Sequence, residues 1–316
     1  METIRGLPEK KKKYKNPVLA IGNFDGVHLG HQEILKRVVK RAKKIEGKSI
    51  VITFDPHPLK FLAPEKCPTL INSFEEKADI LKSLHIDILI TIQFDKEFSS
   101  LNPFEFVKKI IIDKIGAKEV IVGYDFAFGR RREGDSELLK VLGKRMGFDV
   151  TIVEPIRIGN KTLSSTLIRN LIKEGNVEKA SKYLGRLFSI KGKVIIGKGR
   201  GKSMGFPTAN IHPDNELIPK EGVYFGEAFL EKKKYNSLIN VGTNPTFRDN
   251  ELNIEAFIID FTRDIYGKFL KVSFLKRIRD EIRFKAPELL VKQMNKDLMN
   301  AKKFFSKTII SHQSTS

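Results

Sequence analysis

From residue 16 to about residue 175, short apolar runs alternate with stretches whose apolar residues recur every three or four positions, and this alternation limits the possible folds most strongly. Val18–Ile21 reads as a buried strand, and Gly22, Asn23, Phe24 and Asp25 read as the turn that ends it. Beyond His31, the residues Ile34, Leu35, Val38, Val39, Ala42 and Ile45 share one face of a 3.6-residue period, so an amphipathic helix is expected there. The pairing repeats with strands at Ser49–Phe54, Ile86–Ile92, Glu119–Val122 and Val150–Pro155, and helices at Ala78–Leu84, Phe104–Ile112 and Ser136–Met146. Ser73 and Glu76 form a capping box ahead of the first of these helices. Such repeats predict a parallel sheet with helices on both faces, an α/β Rossmann-like layout. The first 15 residues, with Lys10 to Lys13, read as an exposed lead-in.

Ligands of such sheets bind beyond the strand C-termini, and the unusual polar residues of this half cluster there. A helix N-terminus presents free N–H groups and the positive end of its dipole, which suits phosphate. His28 and His31 flank Gly30 at that position, where imidazoles can stabilise charge developing at phosphorus. The alternative is that one histidine caps the helix and the other is solvated. His57 lies in the Pro-fixed loop after the second strand. Asp125 and Arg132 follow the strand at Val120, and Ser164, Ser165, Thr166 and Arg169 open a later helix. Capping or turn formation would explain each of these loops alone.

Near residue 185 the helices drop out. Runs at Phe188–Ile196, Val223–Phe229, Asn236–Val241, Ile254–Phe261 and Leu270–Phe274 suggest a small antiparallel barrel, closed by an amphipathic helix over Pro287–Phe304. The domains are therefore drawn as 1–184 and 185–316. The segment from Gly197 to Asn210 holds Gly199, Gly201, Lys202 and Gly205, the composition of a phosphate-cradling loop or of a flexible hairpin, but its spacing is not that of a P-loop. Alternation places Glu255 on one face with Phe257, Ile259 and Phe261, at a barrel mouth or in a costly burial that would favour a general base. The loop containing Asn244 could wall the same pocket.

No apolar run reaches the ~20 residues of a membrane span, and no secretory h-region is present, so a cytoplasmic protein is expected. The single Cys67 cannot form an internal disulfide. A formal charge of +20 raises nucleic-acid binding as a competing reading, but the lysine excess is dispersed and accompanies no recognition motif.

G-N-F-D-G-V-H-L-G-H, T-F-D-P-H-P, G-Y-D-F-A-F-G-x-x-R-x-G and S-S-T-L-I-R, in that order, resemble the adenylyltransferase module of bacterial bifunctional riboflavin kinase/FAD synthetases. G-F-P-T-A-N, Gly222-Val223-Tyr224, N-V-G-T-N-P-T-F and the Glu255 strand resemble the riboflavin kinase module. The resemblance implies that riboflavin, FMN and ATP are substrates, with no nucleic-acid or membrane partner. His28 and His31 would stabilise phosphates during FMN adenylylation, with Ser164, Thr166 and Arg169 near the pyrophosphate. Gly22, Asn23, Phe24, Asp25, Gly30, His57, Asp125, Arg132 and Ser165 would line the nucleotide and flavin pocket. Glu255 would be the kinase base, Thr208 and Asn210 would hold Mg²⁺, and Gly197, Gly199, Gly201, Lys202, Gly205, Pro207 and Asn244 would surround the nucleotide. Phe257 departs from the family, where many members carry His, and Leu187-Phe188 replaces a common Pro-aromatic pair. A nucleotidyltransferase with another acceptor is the alternative enzyme, but it leaves the second half unused.

Overall fold

A computed structural model describes residues 1–8, 14–159, 161–197, 201, 204–231, 233–243, 252–282 and 284–313. Its contacts divide the chain into two compact units, Met1–Ser165 and Thr166–Ser316. The expected sites at Gly199, Lys202 and Asn244, and the lysines 10–13, lie outside the described residues.

The first unit is built on a six-stranded parallel sheet of order β1-β4-β3-β2-β5-β8. Its strands are β1 (Glu2–Arg5), β2 (Val18–Ile21), β3 (Ser49–Phe54), β4 (Ile88–Ile92), β5 (Glu119–Gly123) and β8 (Asp149–Val153). Two-residue hairpins pair β6 (Ala127–Phe128) with β7 (Gly134–Asp135) and β9 (Arg157–Ile158) with β10 (Lys161–Thr162). The alternation along β2 shows why both faces need cover. Leu19 and Ile21 join one core cluster, while Val18 and Ala20 join another. Helix α1 (Leu29–Lys44) covers the second cluster through Ile34, Leu35 and Val38.

Four further helices precede the last strands: α2 (Pro58–Leu62), α3 (Phe74–Ser83), α4 (Lys96–Ser100) and α5 (Pro103–Phe106). The helix expected over 104–112 is α5 followed by a π-helical stretch, Val107–Ile115, that ends at Gly116 with φ 68°. α6 (Ser136–Met146) then buries Leu139 and Leu142 in the first cluster. The expected exposed lead-in is corrected at its start: residues 2–5 form an edge strand, with Ile4 opposite Ile90 of β4.

The second unit begins with α7 (Ser165–Lys173) and α8 (Val177–Leu184), which packs on the first and last barrel strands. The closed antiparallel barrel has the order β11-β12-β15-β14-β13-β16. Its strands are β11 (Phe188–Ile195), β12 (Ala209–Pro213), β13 (Gly222–Leu230), β14 (Lys233–Thr243), β15 (Leu252–Ile258) and β16 (Phe269–Arg279). Ile254, Ala256 and Ile258 of β15 are buried, as are their alternation partners Tyr224 and Ile239, and these fill the barrel. Phe257 and Ile259 lie on the outer face, against a cluster of Val223, Phe225, Leu238, Ala301 and Phe305 contributed partly by the C-terminal helix α9 (Pro287–Gln313). Glu255 shares this outer face and is half-buried there, where a helix roofs the outer wall and makes that face apolar as well. Among the described residues, no helix is long and apolar enough to cross a membrane.

Candidate active sites

In the first unit the histidines act as one element. The helix starts at Leu29, earlier than its apolar period indicates, because His28 is its N-cap and its Nδ1 accepts from the His31 N–H at 3.3 Å. The capping alternative therefore holds for His28, whereas His31 is half-buried and packed against two rings. Its ring stacks on His28 with centroids 3.7 Å apart and meets the Phe24 edge at 5.3 Å. Burial, then the neighbouring His28 and Lys77, hold the His31 imidazole well below its ordinary pKa. Gly30 makes this stack possible, since a Cβ there would lie 3.1 Å from the His28 ring.

The loop feeding this helix is held tightly. Phe24 and Val27 take positive φ, 48° and 38°, in a region that costs non-glycine residues energy. Asp25 is buried and its carboxylate accepts the Ile71 N–H at 2.9 Å, so it serves the loop's shape. Ser165 Oγ donates to the Asp25 carbonyl at 2.8 Å, which ties Ser165 to this loop. The Asn23 amide lies 3.2 Å from His57 Nε2. Two buried polar atoms here, Asn23 Oδ1 and His31 Nδ1, have no hydrogen-bond partner among the described residues. Gly22 packs against the Phe24 ring, and Asp125 and Arg132 are exposed beyond the C-terminal end of β5. Thr166 and the buried Arg169 follow on α7, in the second unit, and Ser164 is half-buried.

Two features were not anticipated. Lys77 of α3 is a buried lysine whose Nζ donates to the Asn23 carbonyl at 2.9 Å. A run of aromatic rings joins Phe54, Phe94, Phe98, Phe106 and Phe128 at centroid separations of 5.2 to 5.9 Å beyond β3 and β4. The loop aromatics after successive strands carried that signal, but their mutual contact depends on strand order, which local pattern does not give.

In the second unit, Thr208 Oγ1 donates to Glu255 Oε2 at 3.2 Å. Asn253 Nδ2 donates to both Glu255 Oε1 and Asn210 Oδ1 at 3.0 Å. Strand pairing fixes this cluster, since Asn210 of β12 lies opposite Glu255 of β15. The glycines close on it: a Cβ at Gly197 would stand 2.2 Å from the Asn210 amide, and one at Gly201 would stand 2.3 Å from the Phe206 carbonyl. Gly205 turns with φ 83°, and Pro207 is exposed beside Thr208. A cavity of about 670 Å³ opens beside Glu255, walled by Met204, Phe206, Phe257, Leu290 and Met294. A smaller one of about 170 Å³ includes Pro207, Ala209 and Ala256, and Thr208 borders both.

A family model described as FAD synthetase matches residues 10–167, and one described as riboflavin kinase matches residues 184–305. The bifunctional riboflavin kinase/FMN adenylyltransferase of Buchnera aphidicola subsp. Acyrthosiphon pisum is 37% identical over 97% of this chain and 99% of its own. The chain belongs to the bifunctional riboflavin kinase/FMN adenylyltransferase family. The Escherichia coli K12 member is 34% identical over 98% of this chain and 99% of its own. A crystal structure described as a macrolide-efflux protein from Streptococcus pneumoniae superposes with a TM-score of 0.87 at 32% identity, covering 96% of this chain and 99% of that one. The Phe257 ring packs on Phe206 at 5.3 Å and keeps that cavity wall apolar.

Proposed function

We propose a division of labour in which each of two functional domains, 1–184 and 185–316, carries one of two consecutive reactions. The protein is a flavin-cofactor enzyme that phosphorylates riboflavin to FMN and transfers an adenylyl group from ATP to FMN, forming FAD. The observation that carries the residue assignments is the Thr208–Glu255 hydrogen bond at the border of two cavities. Riboflavin's apolar ring suits the larger cavity, and the ATP phosphates reach Thr208 from the smaller one.

In the kinase step the riboflavin 5′-oxygen attacks the γ-phosphorus, its proton passes to Glu255, and ADP leaves. Glu255 suits this role because Thr208 and Asn253 both donate to it and hold its carboxylate in place beside the cavity. Thr208 and Asn210 fit Mg²⁺. Thr208 spends its proton on Glu255 and keeps its lone pairs, while Asn253 orients the Asn210 carbonyl. Bound there, the ion would neutralise charge on the phosphates.

In the adenylyl-transfer step a phosphate oxygen of FMN attacks the ATP α-phosphorus, and pyrophosphate leaves. Positioning and charge supply the acceleration. His28, His31 and the α1 N-terminus hold the phosphates, and Ser164 and Ser165 assist at the pyrophosphate. The aromatic run from Phe54 to Phe128 receives the isoalloxazine ring. Asn23, His57, Asp125 and Arg132 complete this pocket. The proposed compartment is the cytoplasm, where ATP is supplied.

Incubation of the pure protein with riboflavin and MgATP, followed by chromatography of the flavins, is expected to show FMN and then FAD. Absence of both would refute the reading.

A further inference from the structure

Lys77 is only 8% exposed, and lysine is seldom buried without a partner that uses its charge. Its Nζ donates to the Asn23 carbonyl at 2.9 Å and approaches Thr53 Oγ1 at 3.4 Å. Thr53 Oγ1 itself donates to the same carbonyl at 3.2 Å, so that oxygen would stay satisfied without the lysine. Hydrogen bonding alone therefore does not account for an ammonium in this place. The carbonyl belongs to the loop that leads into the His28 N-cap, so α3 grips the phosphate-binding turn from behind.

The charged or titratable groups at this turn include His28 at the helix cap, His31 stacked on it, Asp25 in the loop, Asp55 after β3, His57 against the Asn23 amide, and Lys77 on α3. Burial lowers the proton affinity of Lys77, while Asp25 and Asp55 raise it. Lys77 in turn disfavours a second positive charge on His31. The result is a fixed cation at the back of the loop and a neutral imidazole, with an unpartnered buried Nδ1, at its front. A charge held in place before substrate arrives stabilises developing negative charge without reorganisation.

We propose that Lys77 is a positioning residue for adenylyl transfer, its ammonium anchoring the Asn23 carbonyl and supplying a fixed positive charge behind the loop that leads to His28 and His31. This rests on the assignment of His28 and His31 to FMN adenylylation.

The test uses the full-length protein carrying K77M or K77R, with FAD formation from FMN and MgATP measured across pH. K77M is expected to lower kcat/KM for FAD formation at least tenfold and to move the acid limb of its pH profile to higher pH, because His31 then protonates more readily. The same preparation should phosphorylate riboflavin at the wild-type rate, and circular dichroism and thermal unfolding matching the wild type serve as the folding control for the first unit. K77R should keep the wild-type limb and recover part of the rate. A K77M enzyme with wild-type kcat/KM, or with a uniform loss and an unmoved limb, would overturn the proposal. Should K77M fail to fold, K77R is compared with K77Q, and equal rates and limbs in the two would overturn it. Failure of the underlying assignment is distinct: H31A would then form FAD normally, whatever Lys77 does.

Discussion

His31 shows how burying a single titratable side chain costs stability on acidification. An unperturbed imidazole titrates near pH 6.5, whereas burial, His28 and Lys77 hold His31 well below that. As pH falls below the unfolded value, the unfolded chain takes up a proton that folded His31 refuses, so stability is present above about pH 6.5 and is lost on acidification. Thermal melting of the wild type is expected to drop more between about pH 7.5 and about pH 5 than that of H31Q, which has no titrating ring there. Parallel declines in the two proteins would contradict this. Glu255 makes the complementary point. Its carboxylate is presented outside the barrel, beside a large cavity, and two donors hold it in place.

The elements that carry these residues were legible to different degrees. Uniformly apolar β2 and the Ser73–Glu76 capping box are fixed by local chemistry, and both form where the sequence places them. β1 was hidden because Glu2–Arg5 has a single aliphatic residue and earns its place only by pairing with β4. β12 was hidden because Asn210 and His212 interrupt its pattern and Pro207 precedes it, yet it supplies Asn210 to the site. Alternation put Glu255 correctly on a face with Phe257, but which face lies inside depends on α9, far along the chain. That helix is tied to β16 where Arg279 Nε and Nη2 both donate to the buried Asp297, at 2.9 and 2.8 Å. Breaking one partner of a buried pair costs about 3–5 kcal/mol, and a neutral amide should forfeit the lower part of that range. D297N is therefore expected to lower the urea midpoint of the kinase unit and to raise the KM for riboflavin, since both residues line the larger cavity. An unchanged midpoint and KM would remove α9 from the site.

At the scale of the whole molecule, each unit has hydrophobic clusters of its own: those around Leu19 and Val18 in the first, and that around Phe225 in the second. Damage to one should therefore spare the other. Leu19 is fully buried, and truncating such a leucine costs about 2–5 kcal/mol. After a heat step, L19A is expected to lose FAD formation at lower temperature than wild type while retaining riboflavin phosphorylation. Simultaneous loss of both would show that the units stand or fall together. The central claim, two separate chemical sites on one chain, is tested most directly by flavin chromatography of E255Q and H31A, each supplied in turn with riboflavin and with FMN. General-base removal typically costs 10²- to 10⁴-fold, so E255Q should make almost no FMN yet convert supplied FMN to FAD, and H31A should stop at FMN. Loss of both reactions in either folded variant, or normal FMN formation by E255Q, would contradict it.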